Sequence, residues 1–196
     1  MNVPNQLTLA RLFLTLAFLG VFFLEVAGAD TLALALFIVA SITDHYDGKI
    51  ARRDGLITNF GILMDPLVDK ILICSAFIAF VGRDLVPAWM VVVIVVRELA
   101  ITGLRLLAAS QNTVLAAEGF GKHKTVSQIV AIIAILVLAS HGDWGNWARA
   151  LFGWPILGRP WVELVVEAAK WAAVGFTLMS GGVYLWRNRS IYLRDL

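Results

Sequence analysis

Apolar residues fill this chain in long runs, and six of the runs are long enough to cross a membrane. A span needs about 20 mostly apolar residues, and the runs fall at roughly 7–25, 30–52, 59–82, 86–110, 123–141 and 162–187. Turn-forming residues punctuate them. Ala27-Gly28-Ala29-Asp30 separates the first pair and Arg53-Asp54-Gly55 the second. Gly82-Arg83-Asp84 with Pro87 precedes the fourth run, and Gly119-Phe120-Gly121 the fifth. The stretch 142–160 mixes glycine, tryptophan and two prolines and reads as an irregular interfacial loop, its Trp144, Trp147 and Trp154, with Trp161 following, suited to the headgroup level. The pattern predicts an all-α integral membrane protein, with six transmembrane helices around a polar cavity open to the cytoplasmic side and a single domain over 1–196.

Composition agrees. Of 196 residues 60% are hydrophobic and 15% charged, with a mean hydropathy of +0.82, whereas soluble domains average about 45–50% apolar and about 25% charged. Cys74 is the one cysteine, which excludes a disulfide scaffold, and its apolar neighbours make it a buried small hydrophobe. A net charge of +2 gives no reason to expect nucleic acid. Residues 1–6 carry no basic cluster and Arg11 interrupts the first apolar run, so a cleavable signal is not expected. Lys49, Arg52, Arg53, Arg105, Lys122, Lys124, Arg187, Arg189 and Arg194 fall on one side of a six-span topology, and Arg83, Arg149 and Arg159 on the other. The richer side is cytoplasmic by the positive-inside rule, which puts both termini inside.

Four carboxylates break the apolar pattern: Asp44, Asp47, Asp65 and Asp69. Charges at such depth are costly and point to function. Asp44 and Asp47 are three residues apart and share one helix face, as do Asp65 and Asp69, four apart on the next helix. Counted inward from the intervening loop, Asp47 and Asp65 both lie about 8–10 Å deep at 1.5 Å per residue, so the pairs form one cluster near the cytoplasmic surface. Four negative charges together demand protons or divalent cations, and an all-oxygen donor set favours Mg²⁺, Mn²⁺ or Ca²⁺ over zinc. Two such ions about 3.5–4 Å apart would form a clamp for displacement at phosphorus. Gly48 and Gly61 permit close approach of a ligand, and Arg52 is placed to hold a phosphate in a bidentate contact. An ion-pair network with Arg52 and Lys70, or a cation-transport path, accounts for the acids but not for this spacing of Gly48, Arg52 and Gly61.

The segment resembles the signature of the CDP-alcohol phosphotransferase family, D-x-x-D-G-x-x-A-R, eight residues, then G-x-x-x-D-x-x-x-D, through Asp44, Asp47, Gly48, Ala51, Arg52, Gly61, Asp65 and Asp69. His45, where many relatives carry an aromatic, is a small departure that leaves the acidic positions intact. The resemblance implies six transmembrane helices, a homodimer, and transfer of a phosphatidyl group from a CDP-linked lipid to an alcohol with release of CMP. It implies that Asp44, Asp47 and Asp65 hold two divalent ions per subunit (Mg²⁺ or Mn²⁺), and that Asp69 also touches metal and serves as the base. Gly48, Ala51, Arg52, Thr58 and Gly61 would line the CDP-lipid site.

Two further segments bear on the acceptor. Arg97-Glu98 lies inside the fourth run, where charges need partners, and a helix-packing salt bridge is the plain reading. Arg105, Lys122 and Lys124 gather at the cytoplasmic side of runs four and five. They serve either as positive-inside anchors or as a cationic pocket, and the pocket would take an anionic acceptor such as a phosphorylated alcohol. His123 reads as a loop residue. Arg97-Glu98 with Thr102-Gly103-Leu104-Arg105, Gly121-Lys122-His123-Lys124-Thr125, the opening Asn2–Arg11 and Ser180–Tyr184 resemble one bacterial branch of the family. That branch implies CDP-diacylglycerol as donor and glycerol 3-phosphate as acceptor, the latter bound by Arg105 and Lys124 with Lys122 close. Asn5, Thr8 and Arg11 would lie near the donor, and the setting would be the bacterial inner membrane. Inositol phosphate or another headgroup alcohol is the alternative acceptor.

Overall fold

A computed structural model describes residues 3–24, 26–53, 59–111, 115 and 120–192, with side chains described except at 3–5, 44–53, 59–63, 65, 66, 69 and 120–122. The chain is nearly all helix. In order come α1 Val3–Phe22, α2 Ala29–Arg53, α3 Asn59–Gly82, α4 Ala88–Ser110, α5 Phe120–Ser140, the short α6 Asn146–Phe152, α7 Trp161–Arg187 and the short α8 Arg189–Tyr192. The six long helices have 20 to 27 residues, about 30–40 Å at 1.5 Å per residue, and coincide with the six apolar runs. Proline marks two of their starts: α4 follows Pro87 and α7 follows Pro160, where a missing N–H removes no helical bond. Among the described residues one stretch, His123–Trp144, is long and apolar enough to cross a membrane by length and composition. Shorter apolar helical stretches run Gln6–Phe22, Ala29–Thr43 and Lys70–Gly82.

Stretch 142–160 is more ordered than its composition predicts. His141–Trp144 forms a 3-10 turn, α6 follows, and β1 Pro155–Ile156 pairs antiparallel with β2 Arg159–Pro160. Leu157 and Gly158 both have positive φ (54° and 79°), as a two-residue hairpin turn with the twist of its strands requires. Gly158 meets that demand without strain; Leu157 does so at a steric cost. Stacked and edge contacts among Trp144, Phe152 and Trp161 hold the unit together, and Trp161 Nε1 donates to the Leu151 carbonyl at 2.6 Å. Short-range aromatic packing of this kind leaves no periodic trace in a sequence.

The bundle core divides along the helix axes. At the end holding the α1–α2, α3–α4 and α5–α7 connections it is mainly apolar and aromatic, with Ser140 and Lys170 as buried polar exceptions. Phe18 and Phe22 of α1, Phe37 of α2 and Phe77 and Phe80 of α3 are buried together, with Phe22 and Phe80 edge-on at 5.4 Å. At the other end the buried positions turn polar: Thr8, Arg11 and Thr15 on α1, Glu98 on α4, Lys124 and Gln128 on α5, and Thr177 and Ser180 on α7. Polar groups at such depth are costly unless partnered, and at this end they find partners across α4, α5 and α7.

Candidate active site

The register of the two aspartate-bearing helices is set at their far ends. Arg83, just beyond α3, forms a two-pronged ion pair with Asp30 in the first turn of α2, through Nη1 to Oδ1 and through Nη2 to Oδ2 at 3.0 Å. Arg83 Nη1 also donates to the Phe22 carbonyl at 3.2 Å, and the guanidinium lies 4.4 Å from the Phe22 ring centroid. The start of α2 is therefore beside the end of α3, and the helices run in opposite directions. Asp44 lies fourteen residues after Asp30, and Asp69 fourteen residues before Arg83; for Asp47 and Asp65 the separations are seventeen and eighteen. At 1.5 Å per residue, Asp44 and Asp69 share a level about 21 Å from the clamp, and Asp47 and Asp65 one about 26 Å from it. Counted this way, two acidic positions on each helix fall at matching heights, and a donor set of four carboxylates fits hard divalent cations.

Gly48, Ala51 and Arg52 also lie on α2, and Gly61 on α3. The side chains of Asp44, Asp47, Arg52, Asp65 and Asp69, and that of Lys122, lie outside the described residues, as does Thr58 altogether; so do the side chains of His45 and Asn5. On α1, Thr8 and Arg11 are almost wholly buried (1% and 0% exposed). Thr15, one turn beyond Arg11, donates from its hydroxyl to the Arg11 carbonyl at 2.8 Å.

The expected acceptor cations have separate anchors. Lys124 is buried in the first turns of α5, its Nζ paired with Glu98 Oε1 of α4. Glu98 Oε1 also accepts from Arg97 Nη1 at 3.1 Å, and Arg97 Nη2 donates to Ser180 Oγ of α7 at 3.1 Å. The salt bridge expected of Arg97-Glu98 is present, but it is part of a chain of contacts linking α4, α5 and α7. Gly181 makes room for it: a Cβ there would stand 2.9 Å from Arg97 Cγ. One turn past Lys124, Gln128 Nε2 donates to Thr177 Oγ1 at 3.0 Å, while its buried Oε1 has no hydrogen-bond partner. Arg105 is seven residues after Glu98 on α4, about 10 Å along the axis. It is exposed, with Nε donating to the Tyr184 hydroxyl at 3.3 Å and the guanidinium 5.6 Å from that ring. His123 is exposed at the edge of α5.

One element ties this polar cluster to the aspartates: helix α3, which carries Asp65 and Asp69, packs against both α4 and α5. Cys74, half-buried rather than the buried hydrophobe its neighbours predict, lies on the same helix one turn beyond Lys70. Lys70 is the immediate neighbour of Asp69. Sequence reasoning singled out Lys124 and Glu98 separately but missed that they pair, and missed Tyr184 as the partner of Arg105. The first had a legible signal, since two opposite charges at apolar depth on neighbouring helices need each other. The second had none, because only the packing of α7 on α4 brings the ring alongside.

Known proteins bear on this arrangement. A family model described as CDP-alcohol phosphatidyltransferase matches residues 1–179. A Bacillus subtilis protein named CDP-diacylglycerol--glycerol-3-phosphate 3-phosphatidyltransferase is 41% identical over 95% of each chain. A Rickettsia felis protein of the same name is 33% identical over 93% of each. A Mycobacterium tuberculosis protein named probable phosphatidylglycerophosphate synthase is 37% identical, covering all of this chain and 83% of its own.

Proposed function

This chain belongs to the CDP-alcohol phosphatidyltransferase family, and from that footing we propose that it transfers the phosphatidyl group of CDP-diacylglycerol to glycerol 3-phosphate, giving phosphatidylglycerol phosphate and CMP. The observation that carries this reading is the 41% identity, over 95% of both chains, to a relative named for that reaction. The four acidic positions on α2 and α3 and the cationic residues on α4 and α5 support the same reading.

Asp44, Asp47, Asp65 and Asp69 would hold two divalent cations, Mg²⁺ or Mn²⁺, which when bound screen the charge of the donor pyrophosphate. Gly48, Ala51 and Gly61 leave room for the CDP moiety, Arg52 and Thr58 contact it, and Asn5, Thr8 and Arg11 line the donor side from α1. Asp69 takes the proton from the acceptor's primary hydroxyl as that oxygen bonds to the β-phosphorus. The bond from that phosphorus to the bridging oxygen breaks, and CMP leaves with the electron pair. Lys124 and Arg105, with Lys122, hold the acceptor phosphate.

The protein is proposed to work as a homodimer of single-domain subunits. Each has six membrane spans around a cavity open to the cytoplasm, with both termini cytoplasmic, in a bacterial inner membrane. Purified protein given CDP-diacylglycerol and Mg²⁺ releases CMP only when glycerol 3-phosphate is present. Release driven instead by inositol phosphate reassigns the acceptor, and no release with any alcohol removes the enzymatic reading.

A further inference from the structure

Lys124 does not stand alone in its pocket. It is buried to 5% exposure, and its ammonium rests on the carboxylate of Glu98, itself 6% exposed. That carboxylate is steadied from the other side by Arg97 at 3.1 Å, and Arg97 is steadied by Ser180 at 3.1 Å. The tight fit of the Arg97 stem against Gly181 closes the chain of contacts. A lysine head on a four-carbon stem has many rotamers and no fork geometry of its own, so the Glu98 contact fixes its direction. An ammonium has three donors, and Glu98 takes one, leaving donors for an anion. The triad of Arg97, Glu98 and Lys124 carries one net positive charge, and Arg105 two turns along α4 adds another, which together match a phosphate dianion.

We propose that Glu98 is a positioning residue for acceptor binding, aiming the Lys124 ammonium at the acceptor phosphate. This rests on the acceptor reading given above. Glu98 places a negative charge beside an anion site, so plain electrostatics makes its removal favour the acceptor. Positioning makes its removal harmful, because half-buried Arg97 and buried Lys124 are then neighbouring cations without the group between them, and the Lys124 ammonium loses the contact that fixes its direction. The two accounts predict opposite signs.

The test is steady-state kinetics of Glu98→Gln in the full-length protein, with wild type assayed alongside. The KM for glycerol 3-phosphate rises about tenfold or more, the scale of one lost charge-assisted hydrogen bond, while the KM for CDP-diacylglycerol stays within about twofold. Glu98→Asp, which keeps the charge on a shorter arm, falls between the two. Adding Glu98→Gln to Lys124→Gln raises the acceptor KM by less than about twofold further, since Glu98 acts through Lys124. A lower or unchanged acceptor KM in Glu98→Gln, equal losses for both substrates, or full additivity in the double variant overturns the proposal. Should Glu98→Gln not fold, Glu98→Asp and its double variant with Lys124→Gln decide on the same criteria. Wild type that makes no CMP with glycerol 3-phosphate fails the acceptor reading itself, an outcome separate from any difference between variants.

Discussion

Asp69 and Lys124 show how differently two charged residues live in one apolar bundle. Lys124 is compensated inside the protein by Glu98. The acidic positions on α2 and α3, four of one sign that fall at two levels by residue count, are the ones proposed to hold cations. Among them Asp69 is the proposed base, next in sequence to Lys70 on α3, the helix that packs against α4 and α5. Asp69→Asn keeps the size and oxygen of the side chain but not its basicity. Turnover falls by a thousandfold or so, in the range removed with a general base, while CDP-diacylglycerol binding, read by calorimetry, weakens only several-fold. Near-wild-type turnover would take the proton-acceptor role away from Asp69.

Among the elements, register matters most. Arg83 joins the start of α2 to the end of α3 through Asp30, helped by the Phe22 carbonyl and ring, and counted from that clamp the acidic positions of the two helices come to matching heights. The clamp is partly open to solvent, with side-chain exposures of 34% for Arg83 and 18% for Asp30, so screening limits its worth. Arg83→Ala costs about 1 kcal/mol after that discount, seen as a fall of a few degrees in melting temperature. The exchange of Asp30→Arg with Arg83→Asp recovers more than half of that loss. An exchange no more stable than the single variant would mean that Arg83 acts through Phe22 rather than through Asp30.

For the whole molecule, the division of the core is the main fact. Aromatic packing dominates one end, and most buried polar groups, from α1, α4, α5 and α7, occupy the other. A donor with two acyl chains can then leave its chains in lipid while its headgroup meets a water-soluble acceptor at the polar end. The proposed topology assigns the Leu157 hairpin tip, 91% exposed, to the outer face and the exposed Ser190 in α8 to the cytoplasm. In a Cys74→Ser background, a membrane-impermeant maleimide labels Leu157→Cys in intact cells and labels Ser190→Cys only after permeabilisation. The reverse pattern would invert the orientation drawn from the Lys and Arg distribution.

What the sequence determined by itself is the helix inventory, the family and the spacing of the acidic motif. Six apolar runs match six long helices because helices satisfy their own backbone within a segment, so length and hydropathy suffice to mark them. The spacing of Asp44, Asp47, Gly48, Arg52, Gly61, Asp65 and Asp69 is likewise local, and carries its meaning without knowledge of neighbours. The tertiary structure decided what depends on which helix lies beside which. It paired Lys124 with Glu98 and set Arg105 on Tyr184. Through Asp30 and Arg83 it brought α2 and α3 into register, and it folded 141–161 around its aromatic rings. Each of these joins residues far apart in the chain through side-chain reach and packing, and no periodicity along a sequence encodes a contact of that kind.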